Sequence, residues 1–113
     1  IGMLREDFFL YWEDVEYGFR ARRAGFTFAV AHTSPLSHLS SSHGVGRETP
    51  RTYYLVRNAV YLVGEWGTLP VRWWVRMLTP LRRWVATVRG KRIVARALAD
   101  AARGVMGPAP QDL

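Results

Sequence analysis

The alternation of hydrophobic and polar residues predicts five elements, of which the first two set the expected fold class. An apolar aromatic run ends at Trp12, and the mixed pattern after it predicts a helix over residues 13–24. Gly25 is a typical left-handed terminator for such a helix. Residues 26–31 (FTFAVA) are apolar nearly throughout, which predicts a strand buried on both faces of a sheet. A helix followed by a buried strand is typical of α/β domains, so we expect an α/β fold.

Three further helices are predicted in the second half of the chain. Residues 51–64 follow Pro50 and carry apolar residues at helical spacing. Residues 70–89 place large apolar side chains on one face and arginines on the other, and Pro80 is expected to kink or break this helix. The alanine-rich residues 91–105 predict the last helix.

The 70–89 pattern and the charge of the chain are compatible with a membrane surface. Residues 1–50 carry a net charge of −1 and residues 51–113 a net charge of +8, nearly all of it from arginine. Arginine suits contact with phosphates and lipid headgroups, and an aromatic face opposite an arginine face is typical of an interfacial helix. The same pattern also fits a helix packed on its own domain. No apolar run reaches the roughly 18–20 residues of a spanning helix, and there is no cysteine. We therefore expect a cytoplasmic protein, peripheral at the inner face of the cell membrane.

Glu13 and Asp14 form a carboxylate pair between the aromatic run and the first helix. The positive end of the helix dipole favours the ionised carboxylate, and an apolar wall opposes it by desolvation. A carboxylate held between these effects can be tuned for proton transfer. Acidic residues in a first helical turn also occur simply as helix caps, so the pair alone does not decide its role.

Two motifs resemble those of family 2 glycosyltransferases, in the rhamnosyl- and galactofuranosyltransferase-like branch. The first has the form aromatic-Phe-x-x-x-Glu-Asp-x-acidic-x-x-x-Arg-x-x-x-x-Gly. It consists of Phe8, Phe9, Glu13, Asp14, Glu16, Arg20 and Gly25. The second is similar to the family signature Tyr-Tyr-x-x-Arg-Asn, at Tyr53, Tyr54, Arg57 and Asn58. The resemblance covers residues 1–64 and implies the C-terminal portion of a GT-A domain, followed by amphipathic helices.

The resemblance implies inverting transfer of a sugar from a nucleotide-diphosphate donor to a glycan or lipid-linked acceptor, without nucleic acid as a partner. Asp14 is then expected to be the general base, with Glu13 as the alternative. Trp12 and Glu13 are candidates for holding the acceptor, and Arg57 either reaches the diphosphate or acts as a structural tie. Mn²⁺ or Mg²⁺ is expected on the diphosphate, with His38 as one ligand and His32 as the competing candidate.

The expected domain organisation is that of a fragment. The chain begins at Ile1 and contains neither an Asp-x-Asp motif nor a glycine-rich phosphate loop, so we expect the donor-binding half to lie outside it and the fragment to be inactive alone. Residues 1–64 are expected to be the acceptor-side part, 65–106 a basic helical extension and 107–113 a disordered tail. The alternative class is a non-catalytic basic module that binds anionic lipid or nucleic acid.

Overall fold

The structure, a computed structural model, describes residues 1–33, 37, 48–88 and 91–111. Within these residues the chain forms a short 3₁₀ turn and four α-helices. The turn spans Glu6–Phe8, and the helices are α1 Glu13–Arg23, α2 Glu48–Trp66, α3 Leu69–Val88 and α4 Arg92–Arg103. The helices α2, α3 and α4 pack against one another and form the body of the structure. Side chains of α2 connect this body to α1 and to the turn that precedes it.

The expectation of an α/β fold, as the C-terminal portion of a GT-A domain, is wrong. The described residues contain no strand, and residues 26–31 follow α1 as irregular chain. Phe26, Phe28 and Val30 are 59%, 63% and 78% exposed. A strand needs a neighbour that pairs with its backbone N–H and C=O groups. No described segment forms such a ladder with residues 26–31, so their apolar composition does not produce a strand.

The predicted end of α1 is confirmed. The N–H of Gly25 donates to the carbonyl of Arg22 at 3.1 Å, and the N–H of Phe26 donates to the carbonyl of Ala21 at 3.0 Å. Gly25 has a φ of +88°, a left-handed conformation that a glycine adopts without a steric penalty. The helix therefore ends in the glycine-capped geometry that the sequence predicts.

Glu16 and Arg20 of the first motif hold the beginning of the chain against α1. Glu16 is 1% exposed, and its Oε2 accepts from Nε of Arg20 at 2.9 Å. The remaining nitrogens of Arg20 donate to the backbone carbonyls of Ile1 and Met3. Glu16 and Arg20 therefore have a structural role, because they attach residues 1–3 to α1.

The core lies between α2 and α4. Tyr53 and Tyr54 of α2 pack against the buried Ala97 of α4, and alanine at this position lets the two helices approach closely. Asp100 of α4 is also fully buried. Its carboxylate accepts hydrogen bonds from the Tyr53 hydroxyl at 2.8 Å, from Nε of Arg96 at 2.9 Å and from Arg103.

This network shifts the pKa values of Asp100 and Tyr53. Burial tends to raise the pKa of Asp100, but the hydrogen bonds from Tyr53, Arg103 and Arg96 outweigh burial and lower it. The pKa of Tyr53 is raised by burial and by its hydrogen bond to the Asp100 carboxylate. The folded state therefore favours an ionised Asp100 beside a neutral Tyr53.

The segment after α4 returns to the first residues of the chain. Gly104 ends α4 with a φ of +68°, and the N–H of Gly107 donates to the carbonyl of Asp7 at 2.6 Å. The N–H of Ala109 donates to the Tyr54 hydroxyl. Although the sequence predicts a disordered tail over residues 107–113, Gly107 and Ala109 are hydrogen-bonded to Asp7 and to residues of α2.

The helix α3 runs through Pro80 without interruption, so Pro80 does not break it. Thr79, next to the proline, is buried and donates its hydroxyl to the carbonyl of Val75 at 2.7 Å. None of the helices in the described residues combines the length and the apolar character required to cross a membrane.

We predict that Asp100→Asn removes part of the acid sensitivity of the fold. The folded pKa of Asp100 lies below its unfolded value, so its contribution to stability is complete above about pH 3.9 and is lost as pH falls through the folded pKa. At pH 7 the variant should be less stable by about 1–3 kcal/mol, since the hydrogen bonds lose a charged acceptor. Urea unfolding of both proteins between about pH 7 and pH 2 measures this difference.

The matched control is Glu6→Gln, because Glu6 is exposed and its side chain makes no ion pair within the described residues. Its unfolding free energy should run parallel to that of the wild type. If the gap between wild type and Asp100→Asn stays constant as the pH falls, the carboxylate does not carry the charge-dependent part of the stability.

Candidate functional site

The backbone just before α1 adopts an unusual conformation. Phe9, Tyr11 and Trp12 have φ angles of +64°, +64° and +73°. Side chains with a Cβ rarely adopt positive φ, and each such residue costs of the order of 1–3 kcal/mol. Trp12 is the N-cap residue of α1. The chain thus makes tight turns directly before it presents Glu13 and Asp14, and such strain persists only where the surrounding structure holds it.

Asn58 of α2 holds this strained segment. The side chain is fully buried. Its Nδ2 lies 3.0 Å from the carbonyl oxygen of Phe8, 2.7 Å from that of Leu10 and 2.9 Å from that of Tyr11. An amide nitrogen has two hydrogens, so the three carbonyls share them. One side chain therefore satisfies the inward-facing carbonyls of the turn that leads to the carboxylate pair.

Arg57 orients the amide of Asn58 and joins three segments. Its Nε donates to Oδ1 of Asn58 at 2.8 Å, and this bond fixes which side of the amide faces the strained segment. Its other nitrogens donate to the carbonyl of Phe8 at 3.1 Å and to that of Gly107 at 2.7 Å.

The two tyrosines of the second motif complete the enclosure of Arg57. The guanidinium carbon lies 5.2 Å from the ring centroid of Tyr53 and 5.1 Å from that of Tyr54. Tyr54 also stacks on Phe9 with ring centroids 5.3 Å apart. All four defining residues of the second motif are therefore buried, and three of them contact the segment that carries the first motif.

The carboxylates at the start of α1 lie in different environments. Asp14 is exposed, and its Oδ1 accepts from the N–H of Val15 at 2.8 Å. Glu13 is half-buried, and its Oε2 is buried with no hydrogen-bond partner in the described part of the chain. Asp14 is thus the accessible carboxylate, and Glu13 offers an unused acceptor at the positive end of the helix.

Trp12 offers an unused donor beside these carboxylates. The side chain is half-buried, and its indole N–H is buried without an acceptor among the described residues. A buried indole N–H usually has a partner, and a buried polar atom without one needs an explanation such as binding. A hydroxyl group can both donate and accept, so the hydroxyls of a sugar have the chemistry to pair with this donor and this acceptor, which are buried and unpaired on consecutive residues.

The structure places the remaining predicted site residues as follows. His38 lies outside the described residues, as does His43, while His32 is exposed in a turn. No group of three or more His, Cys, Asp or Glu residues that could hold a metal ion occurs among the described residues. Arg57, predicted to reach a diphosphate or to act as a tie, has no exposed surface and contacts backbone carbonyls.

The part played by Asn58 was not predicted at residue level. The sequence places the residue in the second motif without assigning it a partner, whereas the structure shows contacts with the carbonyls of Phe8, Leu10 and Tyr11. The available signal was the polar pair Arg57-Asn58 within the apolar and aromatic stretch of residues 53–63. Such a pair requires partners from another segment, but the spacing does not say which.

Comparison of the chain with protein-family models, with characterised proteins and with solved structures finds no match. The family resemblance therefore depends on the two sequence motifs alone.

We predict that Asn58→Ala destabilises the protein by roughly 2–4 kcal/mol, because it leaves the carbonyls of Leu10 and Tyr11 without their donor. Asn58→Asp keeps the size of the side chain but replaces the donor by an acceptor, and it should be at least as destabilising. Urea unfolding gives the free energies, and amide hydrogen exchange at residues 9–13 shows whether the strained segment opens first.

The control is Leu55→Ala, on the more exposed side of the same helix. This variant should lose less than about 1 kcal/mol. The assignment fails if both Asn58 variants resemble Leu55→Ala, or if exchange at residues 9–13 is unchanged while the rest of the protein is destabilised.

Proposed function

We propose that this chain supplies the acceptor-side residues of an inverting glycosyltransferase. The reaction is transfer of a sugar from a nucleotide-diphosphate sugar to a hydroxyl of a glycan or lipid-linked acceptor. The observation that carries the proposal is the contact of Asn58 with Phe8, Leu10 and Tyr11. Through it the two motifs, distant in sequence, form one unit that ends in an accessible carboxylate.

In this proposal Asp14 is the general base. The acceptor hydroxyl attacks the anomeric carbon, its proton passes to Asp14, and the bond from the anomeric carbon to the diphosphate oxygen breaks. The nucleoside diphosphate leaves with the bonding electrons, and the configuration at the anomeric carbon inverts. The exposed side chain of Asp14 suits this role, since one oxygen is held by the N–H of Val15 and the other is open to a hydroxyl.

Trp12 and Glu13 orient the acceptor in the same proposal. Their indole N–H and carboxylate oxygen, which are buried and without a described partner, have the chemistry to pair with sugar hydroxyls. Positioning of the attacking hydroxyl supplies a large part of the rate in such reactions. Arg57 contributes indirectly, by holding Asn58 and the Phe8 carbonyl in place.

A divalent cation, Mn²⁺ or Mg²⁺, would stabilise the departing diphosphate. The described residues do not form a metal site, so we derive no step through a metal. His38, which lies outside the described residues, remains a predicted ligand of this cation.

We predict that Asp14→Asn lowers kcat for sugar transfer by about 10²–10⁴-fold, the range expected for loss of a general base. The assay uses the natural full-length protein, with a panel of nucleotide-diphosphate sugars and either Mn²⁺ or Mg²⁺. Binding of the donor, measured by calorimetry, should be unchanged, because Asp14 acts on the acceptor.

Two variants separate base catalysis from a structural effect. Glu13→Gln should raise KM for the acceptor more than it lowers kcat, and the exposed Glu6→Gln should behave like the wild type. If Asp14→Asn turns over at the wild-type rate, Asp14 is a helix cap and not the base. If Glu13→Gln instead shows the loss predicted for Asp14→Asn, the base is Glu13.

A further inference from the structure

The helix α3 exposes its large apolar residues to solvent. Six of them lie within an arc of about 100° at roughly 100° per residue, and each is between 51% and 68% exposed. These six residues, hereafter the apolar arc, are Trp73, Trp74, Met77, Leu81, Trp84 and Val88. Three exposed tryptophans on one helix exceed the scattered apolar residues of an ordinary protein surface.

The opposite side of α3 packs on the body of the protein through smaller residues. Thr79 and Ala86 are buried there, and Val75 is half-buried. A surface helix of a globular domain normally turns its largest apolar side chains inward. In α3 the largest apolar side chains face outward instead, and the helix packs on the body through its small residues. The apolar arc therefore does not contribute to the core.

Arginines lie on both flanks of α3, between the apolar arc and the packed side, and no acidic residue lies on the helix. Arg76 and Arg83 lie beyond one edge of the arc, and Arg82 lies beyond the other. All three are exposed, and none forms an ion pair with the described part of the chain. The sequence of α3, LPVRWWVRMLTPLRRWVATV, contains four arginines and no aspartate or glutamate.

We propose that α3 lies flat in the interface of an anionic lipid bilayer. The apolar arc enters the boundary between headgroups and acyl chains, where tryptophan is favoured. The bordering arginines donate to lipid phosphates. Charge complementarity selects this partner, because a cationic rim around tryptophans matches a negatively charged surface with an apolar interior. This proposal does not depend on the proposed sugar chemistry.

The test is binding of the purified chain to vesicles, followed by co-sedimentation and by tryptophan fluorescence. The vesicles are pure phosphatidylcholine or phosphatidylcholine with phosphatidylglycerol, at low and high salt. We expect binding to the anionic vesicles with a blue shift of the emission, quenching by brominated acyl chains, and weaker binding at high salt.

Two double variants of α3 test the two parts of the surface. Trp73→Ser with Trp84→Ser should weaken binding by at least about tenfold per tryptophan. Arg76→Gln with Arg83→Gln should weaken binding to anionic vesicles by roughly 20–30-fold at low salt, at about 1 kcal/mol for each arginine near the surface.

The matched controls change equally exposed residues away from α3. Phe26→Ser with Val30→Ser removes exposed apolar side chains, and Arg22→Gln with Arg23→Gln removes two exposed charges from α1. Both controls should bind vesicles within about threefold of the wild type, since the substituted residues lie outside the helix that is proposed to enter the interface. All variants are first compared with the wild type by circular dichroism and thermal unfolding.

Several results would overturn the proposal. One is the absence of binding to anionic vesicles by the folded wild type. A second is equal binding to neutral and anionic vesicles, which would remove the role of the arginines. A third is self-association without lipid that is abolished by Trp73→Ser with Trp84→Ser, which would make the apolar arc a contact between copies. A fourth is binding to nucleic acid that depends on the arginines, without any binding to vesicles.

Discussion

The structure depends on one buried polar constraint, the pair Arg57-Asn58 on α2. Polar side chains without exposed surface are costly unless every group is paired, and here the partners are backbone carbonyls of the first and last segments. Asn58 takes those of residues 8, 10 and 11, and Arg57 takes those of Phe8 and Gly107. The hydrogen bonds offset the cost of three residues with positive φ before α1. The conformation of the carboxylate-bearing turn is therefore set by α2 and not by its own sequence.

This dependence of the turn on a distant helix explains how far the site and the fold could be predicted from the sequence. The helices were predictable because apolar spacing and the Gly25 terminator are local signals. The strand at 26–31 was not, because a strand exists only with a partner, and its apolar composition does not report whether one is present. The positive φ angles of Phe9, Tyr11 and Trp12 were equally inaccessible, since no glycine marks them and the residues that stabilise them come more than 40 positions later.

The difference between Glu13 and Asp14 follows from the same geometry. The two residues are adjacent in sequence, and composition cannot distinguish them. In the folded chain Asp14 is exposed with one oxygen held by Val15, whereas Glu13 carries a buried oxygen without a described partner. In the proposed reaction, the exposed Asp14 would exchange a proton with the reacting hydroxyl, and Glu13 would accept a hydrogen bond from another hydroxyl of the acceptor. The structural basis of this proposed division is the difference in burial between the two carboxylates.

The helix α2 also relates the carboxylate turn to the apolar arc of α3. Near its end, Trp66 stacks on Phe19 of α1 at 5.8 Å between ring centroids, and Glu65 accepts from Arg5 at 2.7 Å. The helix α3 begins three residues after Trp66 and packs against α2 and α4. If α3 lies in a membrane interface, these contacts give the turn that carries Asp14 a fixed orientation relative to the bilayer. If Asp14 is also the base of the proposed reaction, this orientation would suit an acceptor that is itself anchored in the membrane. Anchoring both groups would remove part of the rotational freedom that the reaction must otherwise restrict, so the two proposals together favour a lipid-linked acceptor.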